Sequence, residues 1–322
     1  MQKSAAEETA VYRATTHSKT QFLFDNERFL GTIFLAPAVI YIIALVGIPF
    51  IMAITFSVTD VTVGDTSLDF VGLQNFRRII QTPQFQRALK DTFLFTIVAQ
   101  IFVAILANIL AVILAQEFRG KWIARMLIML PWATPISLGT IGWLWIFDSK
   151  FSPIDWILQY FGLLGTPDAI FGASKHLNFL GREELAMASV ILVHIWRMLP
   201  LAAVILLAGL TSIDSDLIDQ AQVDGASFWR IHFQIRLPLI FPIMSIALLF
   251  GLIFTFSDMV VAFVLTRGGP VYYTQVLPLW AWFKGIDGGS LSEGAAIALF
   301  LFPLLLVVAI LMLRVARRSE VR

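Results

Sequence analysis

Two ionisable side chains stand in stretches otherwise suited to hydrocarbon. Arg197 sits in His194-Ile195-Trp196-Arg197-Met198, and Asp258 follows Thr255-Phe256-Ser257, each within a long apolar run. A charge in hydrocarbon is costly, so such groups pair with one another or line a polar path. Two readings follow. Arg197 and Asp258 form an interhelical ion pair, or they donate and accept hydrogen bonds along a solute path while Trp196 or Phe256 stacks on the solute. Gln100 and Asn108, in another apolar run, fit the same path or serve as hydrogen-bond glue between helices.

Other chemistry is poorly provided for. There is no cysteine, which excludes disulfides, thiolate nucleophiles and Cys-based zinc sites. His17, His176, His194 and His232 are too scattered for a metal motif. No Gly-x-x-x-x-Gly-Lys-[Ser/Thr] loop occurs, and Gly120-Lys121 is an isolated pair, so the chain does not bind ATP in that manner. No nucleophile motif suggests a membrane-embedded enzyme. A formal charge of +1 argues against a nucleic-acid partner.

The elements that position these residues are membrane helices. Hydrophobic residues make up 58% and charged ones 14%, against the roughly 25% charged of a soluble domain, so the solvent is the lipid bilayer. A span needs about 20 apolar residues. Six stretches qualify, at 30–57, 92–116, 122–147, 185–210, 239–265 and 294–314, and they predict an all-α integral membrane fold. Pro37, Pro49, Pro131, Pro135, Pro200 and Pro303 fall within them, as membrane helices tolerate. The first run is longer than the ~7–15 residues of a signal core and reads as a retained helix, preceded by a tail over 1–29. Arg314, Arg317 and Arg318 beside the last span place both termini in the cytoplasm, although the Arg77–Lys90 group votes the other way. Trp122, Trp143, Trp145, Trp156, Trp280 and Trp282 read as an interfacial belt. Residues 70–91 have the spacing of a surface helix, and 148–184 form an outer cap or a solvated loop.

One cytoplasmic loop, 211–238, is unlike the others. Ser212, Asp214 and Ser215 offer helix N-caps, Leu217–Gln222 continue a short helix, and Gly225 can stop it in a left-handed conformation. A second run, Ala226–Ile235, ends at Leu237-Pro238. A bare connector needs only a few residues, so helix, glycine and helix read as a rigid knob that docks another protein, or as a re-entrant or packing pair.

This loop resembles the signature of the permeases of binding-protein-dependent ABC importers: Glu-Ala-Ala, two residues, Asp-Gly-Ala, then Ile-x-Leu-Pro. Here it reads Asp219-Gln220-Ala221, Asp224-Gly225-Ala226 and Ile235-Arg236-Leu237-Pro238. Asp219 stands in place of Glu and Gln220 in place of Ala. Phe70-Val71-Gly72-Leu73-Gln74-Asn75-Phe76, Leu130-Pro131-Trp132, Ala208-Gly209-Leu210 and Leu265-Thr266-Arg267-Gly268-Gly269-Pro270 resemble the sugar, maltose-type branch. Together they cover nearly everything from residue 30 onward.

The resemblance implies a type I ABC importer permease fold over 30–322, in the multi-pass setting of a prokaryotic plasma (inner) membrane. It implies that Asp219, Gln220, Ala221, Asp224, Gly225 and Ala226 couple to an ATPase cleft. Two ATP-binding subunits would hold ATP and Mg, with no cofactor on this chain. A second related permease, an extracytoplasmic solute-binding protein and a sugar-like solute complete the set. Alignment on the motifs brings His194, Arg197, Met198, Thr255, Ser257 and Asp258 near the family's sugar site. Disaccharides, oligosaccharides, polyols and glycerol phosphates are all handled within the family. The rival reading is an ion-coupled secondary transporter, which needs midplane carboxylates, and Asp258 is the only good one.

Overall fold

The computed structural model describes residues 27–65 and 67–320. The tail over 1–26, with Lys3, Arg13, His17 and Lys19, and Arg322 at the other end lie outside these residues. Among the described residues all long elements are helices, and only isolated bridges, Thr59 with Phe70 and Thr62 with Asp65, have β geometry.

The N-terminal span is one apolar rod from α1 (Glu27–Ile42) through a π turn (Ile43–Gly47) into α2 (Ile48–Ser57). Pro37 sits inside α1 without ending it. Membrane helices tolerate such a proline in their interior.

The remaining chain packs as a bundle around α4 (Pro83–Ala115) and α9 (Glu183–Thr211). Ala99, Val103, Ala107 and Ala111 recur every fourth residue and are fully buried. That spacing puts them on one face, and small side chains let helix backbones approach closely. Phe95 and Ala99 pack with Met187, Val190 and Val193, while Ala107, Ala111 and Leu114 pack with Ala203, Leu206 and Leu207. The two helices are therefore parallel, and the chain between them must cross back. α5 (Lys121–Ile128), α6 (Leu130–Ala133) and α7 (Ile136–Ile146) make that return. α12 (Leu237–Phe256) runs antiparallel to α4, bringing Ile240 to Ala107–Leu114. α15 (Leu291–Glu320) closes the bundle, with Ala296 and Ile297 against Phe85 and Ala88.

Four expectations are corrected. The span 122–147 is not straight: its halves meet at 94°. Pro135 forces Thr134 out of the helical region, to φ −74° and ψ 134°. The surface helix expected over 70–91 is only α3 (Gln74–Gln81), because Pro83 starts α4 and residues 83–91 belong to the long helix. The run Ala226–Ile235 does not stop at Pro238. α11 (Phe228–Ile231) continues through a π turn (His232–Arg236), where the Leu237 N–H reaches the His232 carbonyl, into α12, so Pro238 lies within one continuous helix. The span 239–265 breaks at Ser257–Met259, where Asp258 starts the short α13 (Val260–Thr266).

Residues 57–65, 67–75, 147–182 and 267–290 gather at one end of the bundle, hereafter the cap end. The loop 212–227 lies at the other, the knob end. At the cap end, buried Asn75 donates to the Ser57 and Thr59 carbonyls. α14 (Leu277–Trp282) and α15 form a hairpin in which Gly285 and Gly294 touch backbone to backbone. Segment 148–182 is an ordered cap, not a plain loop, and carries α8 (Pro153–Tyr160). Backbone N–H groups of Lys150 and Phe151 hold the Asp148 carboxyl below the usual carboxylate range. At the knob end the hydrogen-bonded ammonium of Lys121 does the same for Glu117.

Candidate functional site

α9 presents His194 and Arg197 one turn apart. α12 presents Thr255 in its last turn, and the break after it presents Asp258. These four side chains meet. Arg197 Nη1 donates to Asp258 Oδ2 at 3.1 Å, and His194 Nδ1 lies 3.0 Å from the same oxygen. The other oxygen, Oδ1, accepts from the backbone N–H groups of Val260 (2.8 Å) and Val261 (3.3 Å). One carboxylate thus caps α13 and anchors two side chains of α9. Serine and aspartate before an apolar run are a helix-start signal, so the break was readable at Ser257-Asp258.

The proton inventory follows from donor chemistry. A carboxylate only accepts, so His194 Nδ1 carries the hydrogen. His194 Nε2 lies 2.9 Å from Thr255 Oγ1, which also lies 2.7 Å from the Gly251 carbonyl and receives Gln100 Nε2 at 2.7 Å. Thr255 has one hydrogen to give. With neutral His194 it goes to Nε2; with an imidazolium it goes to Gly251. Phe95 closes over the imidazole edge-on, at 4.9 Å between centroids. Gln100, expected either on a path or as glue, is glue. Asn108 faces a separate apolar groove with His232, and its Nδ2 is buried without a partner.

The ion-pair reading of Arg197 and Asp258 holds as geometry, yet the pair is not sealed. His194 and Asp258 side chains are 0% and 4% exposed, whereas Arg197 keeps 24%. Its guanidinium lies 5.8 Å from the Trp132 ring centroid, and Trp132 meets Phe254 edge-on at 6.0 Å. Phe254 and Ser257 are exposed beside it. The accessible surface of the cluster is therefore Arg197 flanked by Trp132, Phe254 and Ser257.

The other expected residues lie elsewhere. Phe256 is buried against Phe93 and offers no face for stacking. Trp196 is half-buried between Trp143 and the backbone of Gly139. Met198 is buried and lines a cavity of about 20 Å³ with Gln100 and Gly251, too small for any solute. Neither Trp132 nor Phe254 stood out in the sequence as a site residue. The bend at Pro135 and the break after Phe256 bring them to Arg197, and the spacing of apolar residues does not say which side chains those turns bring together.

The knob is built as its motif requires. Asp214 Oδ1 accepts from Asp216 N–H at 3.0 Å and caps α10 (Ser215–Val223). At the far end Gly225 has φ +77°, a left-handed value that glycine adopts freely. Its N–H closes on the Gln222 carbonyl, and that of Ala226 on the Ala221 carbonyl, each at 2.9 Å. This is the hydrogen-bond pattern of a glycine-terminated helix, so Gly225 and Ala226 fix the end of α10. Ser227 then caps α11. Within α10 only Ala221 is buried, and Asp219, Gln220 and Asp224 are exposed. Asp219 also lines a cleft of about 460 Å³ shared with Glu117 and Arg236.

Comparisons with known proteins converge. Residues 107–321 match the model of the family described as "Binding-protein-dependent transport system inner membrane component". A probable ABC transporter permease protein of Brucella suis biovar 1 is 30% identical over 246 residues, 76% of this chain and 82% of that protein. The trehalose/maltose transport system permease protein MalF of Thermococcus litoralis is 28% identical over 298 residues, covering 92% and 97%. A crystal structure of a bacterial ABC transporter involved in the import of the acidic polysaccharide alginate shares the fold. Its TM-score is 0.76 at 21% identity, over 92% of this chain and 99% of that one. The chain belongs to the binding-protein-dependent transport system inner membrane component family, and is a multi-pass ABC transporter permease of the inner membrane, not an enzyme.

Proposed function

We infer that this chain forms one half of the transmembrane path of an ATP-driven importer for a neutral sugar-like solute. The observation that carries the reading is the knob, a capped helix held off the membrane by a glycine terminus and presenting Asp219, Gln220 and Asp224. It stands at the end where α4 and α9 both finish. Two ATP-binding subunits, carrying ATP and Mg, engage the knob from the cytoplasm. The bent segment 121–146 then counts as one crossing, giving six spans with both termini cytoplasmic. A second related permease completes the path, and an extracytoplasmic solute-binding protein delivers the solute at the cap end.

The knob leads directly into α11 and α12, and α12 carries Thr255 in its last turn and ends at Phe256, two residues before Asp258. A push on the knob therefore reaches the polar cluster through one continuous helix. ATP biases the inward- and outward-facing states from one side and the loaded binding protein biases them from the other. Arg197 is neutralised by Asp258 and offers its remaining N–H donors to solute hydroxyls, with Trp132 and Phe254 as apolar walls. Sugar selectivity is supported by similarity to the trehalose/maltose permease. Ion coupling through Asp258 is disfavoured, because four donors already occupy that carboxylate.

Replacing Asp219–Ala226 by a flexible Gly-Ser segment of equal length tests this. The variant inserts in the membrane, loses its ATPase partner and has no ATP-dependent uptake. Uptake that survives the replacement overturns the reading.

A further inference from the structure

At the cap end, α8 is turned inside out. Its polar residues point inward. Asp155, 2% exposed, accepts from the Leu177 N–H at 3.4 Å and lies 3.4 Å from His176 Nδ1. Gln159, one turn on, donates to the Lys175 carbonyl at 2.7 Å. Its opposite face is aromatic and bare: Trp156, Ile157, Tyr160 and the following Phe161 are 67, 46, 75 and 68% exposed. Trp156 and Tyr160 stack, at 5.9 Å and 23°. Ile170, on the adjoining loop, is 79% exposed. The exposed face of α10 at the knob end is mixed by contrast, with Asp216, Asp219, Gln220 and Gln222 beside Leu217 and Val223. A run of apolar side chains this dense marks a surface that something covers.

We propose that the aromatic face of α8 lies in the headgroup region of the bilayer, making the cap an interfacial anchor beside the ends of α7 and α9. Three observations select lipid as the occupant. The surface is continuous with the membrane helices: six residues, 147–152, separate α7 from α8. Phe147 packs on Phe179 at 5.2 Å, and Ile154 packs on the core formed by α4 and α9. The residue types are those of an interface, since Trp and Tyr pair an apolar body with one polar tip. Asp155 is the one charged residue on α8 and is turned away, so attachment comes from apolar area and needs no anionic lipid. Holding the cap at this level fixes the height of the α7–α9 connection over the membrane while the bundle changes state.

The absence of cysteine gives a direct test. Ile157→Cys and Phe161→Cys are made singly in the full chain, labelled with an environment-sensitive fluorophore and placed in phosphatidylcholine nanodiscs. Val223→Cys on α10, 88% exposed, serves as the aqueous control. The proposal expects both cap labels to be quenched several-fold more by lipid spin-labelled near the headgroup than by aqueous iodide. Lipid spin-labelled deep in the chain should quench them weakly, and phosphatidylglycerol should change nothing. Iodide quenching equal to that of the Val223→Cys label overturns it. So does a label reached by neither quencher, which would mean that protein covers the face.

Discussion

Removing the carboxylate of Asp258 should destabilise the bundle more than removing either side chain it holds. Asp258→Ala strands four donors at once. Loss of the cap on α13 costs about 1 kcal/mol. Leaving buried His194 Nδ1 without its charged acceptor costs about 1.5–3 kcal/mol. Arg197 is one-quarter exposed and can turn toward water, so its share is below about 1 kcal/mol. The sum is roughly 3–5 kcal/mol, the range known for breaking one side of a buried pair. At about 2–3 °C per kcal/mol for a chain this large, the unfolding midpoint in detergent falls by roughly 6–15 °C. Asp258→Asn keeps one acceptor for the cap and falls about half as far. Arg197→Ala falls least, by about 2 °C. Midpoints read by fluorescence-detected size exclusion after heating give the order directly. An Asp258→Ala variant within 2 °C of the parent, or an Arg197→Ala variant less stable than Asp258→Ala, would refute the four-donor account.

Three further outcomes are expected. Gly225→Val forces a β-branched residue to φ +77°, a strain of about 1–2 kcal/mol; uptake and ATPase recovery should fall while membrane insertion, read by protease protection, is unchanged. Gly294→Val drives a side chain into the Gly285 backbone, an overpacking cost of about 1–3 kcal/mol or more, and should lower the unfolding midpoint, with Gly31→Val, which has open space around it, as the neutral control. Trp132→Ala should raise the KM for solute several-fold with kcat little changed, whereas Phe256→Leu, buried away from the path, should leave KM alone; equal effects of the two would remove Trp132 from the solute surface.

Much of this architecture was legible because hydrocarbon leaves few options. Apolar runs long enough to span must be helices, and the run at 185–210 fell within two residues of α9 at each end, whereas α4 begins well before its apolar run, at Pro83. The knob was legible for a different reason: Asp214 is a helix N-cap and Gly225 a left-handed helix end, and each does locally what its residue type does anywhere. The bends were not read correctly. Pro135 was counted among tolerated prolines, although the residue before a proline resists helix, and Thr134 took the extended conformation. Asp258 reads as the ion-pair partner of Arg197 or as a polar-path group, and the pair forms, but the helix start it makes at Ser257-Asp258 was missed. Missing those two breaks hid the meeting of Trp132 and Phe254 with Arg197, because a straight helix would not bring them there. The inverted face of α8 was hidden too: Trp156 read as an interfacial residue, but only the hydrogen bonds of Asp155 and Gln159 show which way the helix faces.

The central claim, that this permease is driven by ATP through partner chains, is tested most directly by isolating what it assembles with. The tagged full-length chain is purified from its native membrane in mild detergent, and co-eluting chains are identified by mass spectrometry. The account predicts a P-loop ATPase and a second six-span permease in stable association, with ATP hydrolysis stimulated by the loaded solute-binding protein. A folded chain that emerges repeatedly alone, or only as a homodimer without an ATPase, would contradict it.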